Sequence, residues 1–183
     1  HHDYEPPAGF GSMQPGVFKA STVIFPNVAA LRARDWRSRA GYTYGLHGTP
    51  TTFTLEERIA TLEGGTYCTL APSGLSAIAT VNIALLKQGD EVLLPDNAYG
   101  PSREMARSLL ASWGISYKLY DPMDLHSYEA AFSDRTRLVW IESPTNPLLT
   151  VVDIAAVADV AHRHGALLVV DNTFATPYLQ VPI

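Results

Sequence analysis

The stretch Ala166–Thr173 constrains the fold of this chain more than any other. Residues 166–170 are apolar without alternation, and the run ends abruptly in the carboxylate of Asp171. Such a run is typical of a central strand in a parallel sheet that helices cover on both faces. We therefore predict that Asp171 lies at the carboxyl end of an inner strand, the edge at which open α/β sheets bind ligands. A buried carboxylate at this edge requires a cation as its partner.

Three more strands are predicted upstream, at Glu91–Leu94, Ile115–Leu119 and Leu138–Ile141, in addition to Leu167–Val170. Their starts are separated by about the length of a strand-helix-strand unit. Helical patterns lie between them: one has Met105, Leu109, Leu110 and Trp113 on a single face, and the last has Ile154, Val157, Ala158 and Ala161, with Asp153 as cap and Gly165 as stop. This alternation predicts an α/β fold, with a mostly parallel sheet and helices on both faces.

Two helices are predicted before the first of these strands. The sequence Thr54-Leu55-Glu56-Glu57 fits a capping box, which would start a helix that ends near Leu62, before Gly64. A strand is predicted at Thr66–Leu70. A second helix, Leu75–Leu86, follows the Pro72–Gly74 turn and is apolar almost all round, which predicts burial on every side.

Residues 1–45 contain several prolines and glycines and show no sustained period, so we predict an extended N-terminal arm. A short strand is expected at Ser21–Phe25 and a helix at Val28–Arg37. The arm is too apolar for a solvated tail and is expected to pack on a neighbouring subunit. The predicted organisation is an arm and dimer-contact segment at 1–45, followed at 46–183 by the N-terminal part of a ligand-binding domain.

Composition excludes several classes of function. The 13 basic and 18 acidic residues give a net charge of -5, with no basic patch for nucleic acid. No apolar run approaches the ~20 residues of a membrane span, and no signal peptide opens the chain. Cys68 is the only cysteine, which excludes a disulfide framework and favours a cytosolic protein. His162 and His164 are two residues apart and do not share a helix face as metal ligands would.

The segment Ser73-Gly74-Leu75 opens a predicted helix. Free amides and the positive end of a helix dipole bind anions, and glycine lets a phosphate approach the backbone. The same residues also fit a plain helix cap, and no nucleotide-binding glycine motif supports the anion interpretation.

Two further candidates follow predicted strands. Tyr99 can stack on a flat ring and donate its hydroxyl, or it can simply fill the cleft between loops. Asn146, in the loop Glu142–Pro147, can donate to a ligand oxygen or can form only an Asx turn.

These loops together offer an anion pocket, an aromatic plate, an amide donor and a carboxylate. A ligand that matches all four is flat and phosphorylated and carries a protonated ring nitrogen. Pyridoxal phosphate fits this description, with Asp171 keeping its ring nitrogen charged. The competing hypothesis, that Asp171 binds a metal or accepts a phosphate, is disfavoured because no second carboxylate lies beside it in the sequence.

Six segments, spread from the arm to the last strand, carry a resemblance to a known family. They are residues 44–51 (Tyr-Gly-Leu-His-Gly-Thr-Pro-Thr), 62–65 (Leu-Glu-Gly-Gly), 89–92 (Gly-Asp-Glu-Val), 97–99 (Asn-Ala-Tyr), 142–147 (Glu-Ser-Pro-Thr-Asn-Pro) and 170–173 (Val-Asp-Asn-Thr). In these segments the chain resembles the cystathionine β-lyase branch of the Cys/Met-metabolism pyridoxal-phosphate enzymes. The resemblance implies the aspartate-aminotransferase type of fold.

The resemblance also implies roles for individual residues. The amides of Gly74 and Leu75 would hold the cofactor phosphate, with Ser73 nearby. Tyr99 would stack on the ring and assist proton transfer. The remaining cofactor-binding residues implied are Asn146 near the phenolic oxygen, Asp171 at the ring nitrogen and Thr173.

Tyr44 would reach across a subunit interface to the partner's phosphate, in a homodimer or homotetramer. The family usually has arginine two residues later, where this chain has Leu46, and we hypothesise that His47 compensates. The family's Schiff-base lysine is expected beyond Ile183. We therefore expect the chain to be an N-terminal piece, since Lys19, Lys87 and Lys118 are its only lysines and none fits that motif.

The activity implied is carbon-sulfur β-elimination of L-cystathionine. Cystathionine γ-synthase, cystathionine γ-lyase and methionine γ-lyase share nearly all of these residues, but Asn97–Ser102 favours the β-lyase branch. An alternative of another class is a truncated, non-catalytic module.

Overall fold

The computed structural model describes residues 8–9, 11, 14–36 and 41–183. These residues fall into two compact units, one within 1–70 and the other at 71–183. The predicted division between an arm at 1–45 and a domain at 46–183 stays a prediction. No helix among the described residues has the length and apolar character needed to cross a membrane.

The first unit contains helices α1 (Val28–Arg32) and α2 (Pro50–Glu63). Helix α1 was predicted to continue to Arg37, but its C-cap is Ala33, and Arg37 lies outside the described residues. The strand predicted at Ser21–Phe25 is wrong, because that backbone is irregular. A strand needs a neighbouring strand for its backbone hydrogen bonds, and the described residues of this unit contain no strand with which Ser21–Phe25 could pair.

Helix α2 begins before the predicted Thr54. Thr49 is the N-cap and exchanges hydrogen bonds with Thr52 in a capping box, while Pro50 occupies the first turn. Its end agrees with the prediction, because Gly64 terminates it in the left-handed conformation at φ 72°. The strand predicted at Thr66–Leu70 is wrong, since this segment pairs with no strand and Leu70 instead donates its amide to the Glu56 carboxylate (3.2 Å).

The second unit contains a four-stranded sheet. Its strands are β1 (Glu91–Pro95), β2 (Ser116–Tyr120), β3 (Thr136–Glu142) and β4 (Leu167–Asp171). Their order is β2-β1-β3-β4, and all three neighbouring pairs are parallel. The predicted α/β fold and all four predicted strands are therefore confirmed.

In the described part of the sheet, Leu167–Val170 is an edge strand, and its predicted place as a central strand stays a prediction. Strand β4 pairs only with β3 and lies at one edge of the sheet, and Leu167 is 53% exposed. The inner strands are β1 and β3, whose side chains are almost all buried. An apolar run indicates that a strand can be buried, but its neighbours decide whether it is.

Helices cover both faces of the sheet because successive strand side chains point to opposite sides. On one face, Leu93, Val139 and Ile141 pack in a core with α5 (Leu125–Ala130) and α6 (Ile154–Arg163). On the other face, α3 (Gly74–Leu85) and α4 (Gly100–Met105) cover a second core whose strand residues are Val92, Leu94, Leu138 and Trp140. The short helix α7 (Thr176–Leu179) follows β4.

Two predicted helix faces require correction. Helix α3 is not buried all round, because only Ile78 and Asn82 are buried and Ile83 is 55% exposed. After α4 the chain forms a π-helical turn, Ala106–Leu110, which rotates the side chains that follow. Leu109 and Trp113, both predicted on the buried face, are 38% and 43% exposed, whereas Ala106 and Leu110 are buried.

The prediction for α6 is confirmed at both ends. The Asp153 carboxylate accepts the amide of Ala156 (3.0 Å), and Gly165 follows the helix at φ 70°. Val157 and Ala161 are buried in the core as expected, and Val160 joins them.

Candidate functional site

A small pocket opens at the carboxyl ends of β1, β3 and β4. Its polar lining includes Tyr99, Glu142 and Asp171, and its apolar lining includes Ile78 and Trp140. Sequence reasoning predicted that Tyr99 and Asp171 would meet at this edge, and they do. The parallel sheet produces this meeting, because all its strands end on the same side.

Asp171 ends β4 and offers one free carboxylate oxygen to the pocket. Its Oδ1 accepts both the amide (3.1 Å) and the hydroxyl (2.5 Å) of Thr173. Among the described residues, Oδ2 has no hydrogen-bond or ion-pair partner. Thr173 therefore orients the carboxylate, and Oδ2 is left for a cation.

Tyr99 stands at the start of α4, with 40% of its surface exposed. Its backbone is held on both sides, because its carbonyl accepts the amide of Ser102 (2.9 Å) and its amide donates to Glu142 Oε2 (2.9 Å). The ring is thus available to a ligand while its backbone is fixed.

Helix α3 begins with unused backbone donors. Ser73 caps the helix, and its Oγ accepts the amide of Ser76 (3.1 Å). The amides of Gly74 and Leu75 have no acceptor in the described part of the chain. Gly74 and Leu75 are both exposed, and a Cβ on Gly74 would meet nothing within 4 Å, so this end of the helix is open to a ligand. Ser73 thus acts as a plain cap, while the two amides can still bind an anion.

The C-terminal half of α3 is tied to the sheet through Asn82. This residue is buried, and its Oδ1 accepts the indole N–H of Trp140 in β3 (3.1 Å). Its Nδ2 donates to the carbonyl of Ile78 in its own helix (3.0 Å). The bond to Trp140 fixes α3 against the strand whose end lines the pocket.

The loop Glu142–Pro147 is held by its own polar residues. Ser143 Oγ accepts the amide of Val152 (3.1 Å), and Thr145 Oγ1 accepts the amide of Thr150 (3.1 Å). Asn146 is exposed and is not among the residues that line the pocket. Its backbone amide donates to Glu142 Oε1 (2.8 Å). A role for its side chain toward a ligand stays a prediction.

Glu142 is the buried carboxylate of the pocket, and sequence reasoning did not assign it to the site. It is 7% exposed and lies directly across from Asp171 in the register of β3 and β4. A second carboxylate therefore does lie beside Asp171, although none is adjacent in sequence. A usable signal existed, because Leu138–Ile141 also ends in a carboxylate, as the run before Asp171 does. In the described ranges, no three His, Cys, Asp or Glu residues form a group able to hold a metal.

Lys87 and Lys118, both in the second unit, do not line the pocket. The Lys118 amine donates to the carbonyl of Ala131 (2.9 Å) and lies 3.3 Å from Glu91 Oε1. Because Glu91 begins β1, this amine is at the edge of the sheet opposite the pocket.

Tyr44 lies in the first unit, in a cluster of rings. The His47 ring lies 5.8 Å from Tyr44 and 5.1 Å from Trp36, in both cases edge to face. Leu46 is 78% exposed. The reach of Tyr44 to a partner subunit, and the compensation by His47, stay predictions.

Comparisons with known proteins match these observations to one family. The family model for Cys/Met metabolism PLP-dependent enzymes matches residues 1–183. L-methionine gamma-lyase from Pseudomonas putida is 40% identical over 183 residues, which are 100% of this chain and 46% of that protein. Cystathionine beta-lyase from Lactococcus lactis subsp. cremoris is 45% identical over 142 residues, 78% of this chain and 37% of that protein.

The structural comparison agrees with the sequence comparison. The crystal structure of metB from Corynebacterium glutamicum superposes with a TM-score of 0.87 at 37% identity, over 100% of this chain and 46% of that one. The chain thus spans about half the length of the relatives it matches.

Proposed function

The chain belongs to the Cys/Met metabolism PLP-dependent enzymes, and we propose that the complete protein is a carbon-sulfur lyase that converts L-cystathionine to homocysteine, pyruvate and ammonia by β-elimination. The observation that carries this proposal is the free Oδ2 of Asp171, in the pocket that Tyr99 also lines. A free carboxylate oxygen beside an exposed aromatic ring suits a flat cation such as a protonated pyridine.

The described residues fit this cofactor. The unused amides of Gly74 and Leu75, at the start of a 12-residue helix, suit a phosphate. Tyr99 offers a ring for stacking, and Asp171 offers the counter-charge. Asn146 and Thr173 complete the proposed set, with Thr173 acting through its two hydrogen bonds to Asp171.

When bound, pyridoxal phosphate would supply an electron sink for bond cleavage at the substrate. Asp171 would hold the proton on the ring nitrogen, and the two hydrogen bonds from Thr173 would keep its carboxylate oriented. Tyr99 would stack on the ring and limit its orientation. Its hydroxyl can also carry a proton near the reacting atoms.

The choice of β- over γ-elimination rests on Asn97–Ser102, the segment that resembles the β-lyase branch. The related proteins bear names of both kinds, so a γ-lyase, a γ-synthase or a methionine γ-lyase is the alternative. Incubating the complete protein with L-cystathionine separates these activities, because β-cleavage yields pyruvate and γ-cleavage yields 2-oxobutyrate. Release of 2-oxobutyrate without pyruvate would overturn the β-lyase proposal.

The proposal includes a homodimer or homotetramer in which Tyr44 contacts the phosphate of the neighbouring subunit. It also includes a cytosolic location, which the lone cysteine supports. Mixing Tyr44→Phe subunits with Asp171→Asn subunits tests the first point. Oligomers of either variant alone should be impaired. In a mixed oligomer, one site combines the native Asp171 of the Tyr44→Phe subunit with the native Tyr44 of the Asp171→Asn subunit, and that site should regain activity.

Asp171→Asn tests the cofactor site directly. Asparagine keeps the shape and can still accept the bonds from Thr173, but it cannot hold a pyridinium charge. Affinity for pyridoxal phosphate is expected to fall about tenfold or more, since a hydrogen bond to a charged group contributes ~1.5–3 kcal/mol. Asp159→Asn, on the exposed side of α6, is the matched control. Equal affinity of both variants in a fluorescence titration would contradict the proposed site.

A further inference from the structure

We propose that Glu142 is a positioning residue that fixes two loops of the cofactor site to one another. The inference rests on the proposed function, since it concerns the residues that would hold pyridoxal phosphate. Glu142 has no role in the proposed cofactor site so far, although it lines the same pocket as Tyr99 and Asp171.

The geometry of Glu142 is that of a two-point clamp. Its Oε2 accepts the amide of Tyr99 (2.9 Å), and its Oε1 accepts the amide of Asn146 (2.8 Å). These two residues are 47 positions apart in the chain and lie on the loops after β1 and β3. One side chain therefore joins the loop that carries the aromatic plate to the loop that carries the amide donor.

Burial strengthens the two hydrogen bonds of this clamp. The side chain of Glu142 leaves the end of an inner strand and is 7% exposed, so water competes little for its oxygens. Hydrogen bonds from amides to a carboxylate are among the stronger ones in proteins. Because the Tyr99 carbonyl is already bound to α4, the bond to its amide leaves the residue little freedom to turn.

The position of Glu142 beside Asp171 gives the clamp a further consequence. The two residues are direct partners in the parallel register of β3 and β4. Both oxygens of Glu142 are engaged by backbone amides, whereas Asp171 keeps Oδ2 free. Backbone amides thus occupy both oxygens of Glu142, and Oδ2 of Asp171 remains available to the ligand.

The test compares the same substitution at two edges of one sheet. Glu142→Gln retains the shape but has a single acceptor oxygen, so one of the two amides must face an NH2 group. Glu91→Gln is the control for loss of a buried carboxylate away from the pocket. Glu91 is also buried, at the opposite edge, and there a single oxygen, Oε1, accepts hydrogen bonds from Ser133 and Thr136 and lies 3.3 Å from the Lys118 amine.

Both variants are expected to lower the melting temperature of the complete protein. Only Glu142→Gln should weaken binding of pyridoxal phosphate, by about tenfold, or ~1.4 kcal/mol. It should also alter the circular dichroism of the bound cofactor, because Tyr99 would no longer hold a single orientation. Equal cofactor affinity and equal dichroism in the two variants would reduce Glu142 to a structural role and overturn the inference.

Two further measurements separate a failure of the clamp from a failure of the proposed site or of folding. Asp171→Asn, measured alongside, separates the hypotheses: if it too binds pyridoxal phosphate normally, the proposed site fails, and if only Glu142→Gln binds normally, the clamp alone fails. If Glu142→Gln does not fold, hydrogen exchange in the wild-type protein still tests the clamp. The amides of Tyr99 and Asn146 should then be protected, and free exchange of either amide would refute it.

Discussion

The bond between Asn82 and Trp140 gives the sharpest stability test of this structure. Replacing Asn82 with leucine keeps a similar volume but removes the oxygen that accepts the indole N–H (3.1 Å). Both residues are buried, at 2% and 8% exposure, so water cannot replace the lost acceptor. The lost bond to Ile78 matters less, because that carbonyl keeps its helical partner.

The expected cost follows from the orphaned donor. A buried donor without a partner costs ~1–3 kcal/mol, and the greater apolar burial of leucine offsets part of this, which leaves a loss of about 1–2 kcal/mol for Asn82→Leu. Trp140→Phe alone orphans the Asn82 oxygen and also leaves a small cavity. The double variant contains neither orphan, so its loss should be about 1–2 kcal/mol smaller than the sum of the two single losses.

Urea denaturation followed by far-UV circular dichroism measures these values. Cofactor-free protein is used for all four forms, because a ligand that binds only the native state would change the apparent stability. If the loss of stability in the double variant equals the sum of the two single losses within about 0.5 kcal/mol, the hydrogen bond does not couple α3 to β3. The role assigned to Asn82 in holding α3 against β3 would then be wrong.

Two further predictions concern a buried charge and a close backbone approach. Burial alone would raise the pKa of Glu91, but hydrogen bonds from two hydroxyls and from Lys118, together with the Lys118 charge, lower it below its usual 4.5. A carboxylate with a lowered pKa stabilises the fold above about pH 4.5, and this stabilisation is lost as the pH falls through the folded-state pKa. The loss of unfolding free energy caused by Glu91→Gln should therefore be full near pH 7 and should shrink in acid. A loss that does not change between about pH 7 and pH 3 in urea titrations would contradict this. Gly45→Ala should destabilise the protein by about 1–3 kcal/mol, because its Cβ would overlap the carbonyl of Ala20, whereas Gly41→Ala meets nothing within 4 Å and should cost under ~0.5 kcal/mol. Equal melting temperatures for these two glycine variants would refute the close approach.

Local sequence patterns predicted much of the second unit. The four strands lie within two residues of their predicted bounds, and Asp153 and Gly165 mark the ends of α6 as expected. These features depend on neighbours in the chain, such as an unbroken apolar run or a cap next to a periodic segment. The meeting of Tyr99 and Asp171 was also predictable, because parallel strands bring their carboxyl ends to one edge.

Where local signals competed, sequence reasoning was wrong. Thr49 and Thr54 both fit a helix start, and Pro50 with the reciprocal bond from Thr52 decided in favour of Thr49. The π-helical turn at Ala106–Leu110 left no clear mark in the sequence and moved Trp113 away from the buried face.

The sequence by itself determined which segments become strands and helices and which polar residues follow each strand. Only the tertiary structure decided the strand order within the described sheet, that Glu142 is paired with Asp171 in its register, and that one carboxylate binds amides from two loops. The physical reason is that propensity and periodicity act over a few residues, whereas strand order and register depend on how distant segments pair and bury their surfaces.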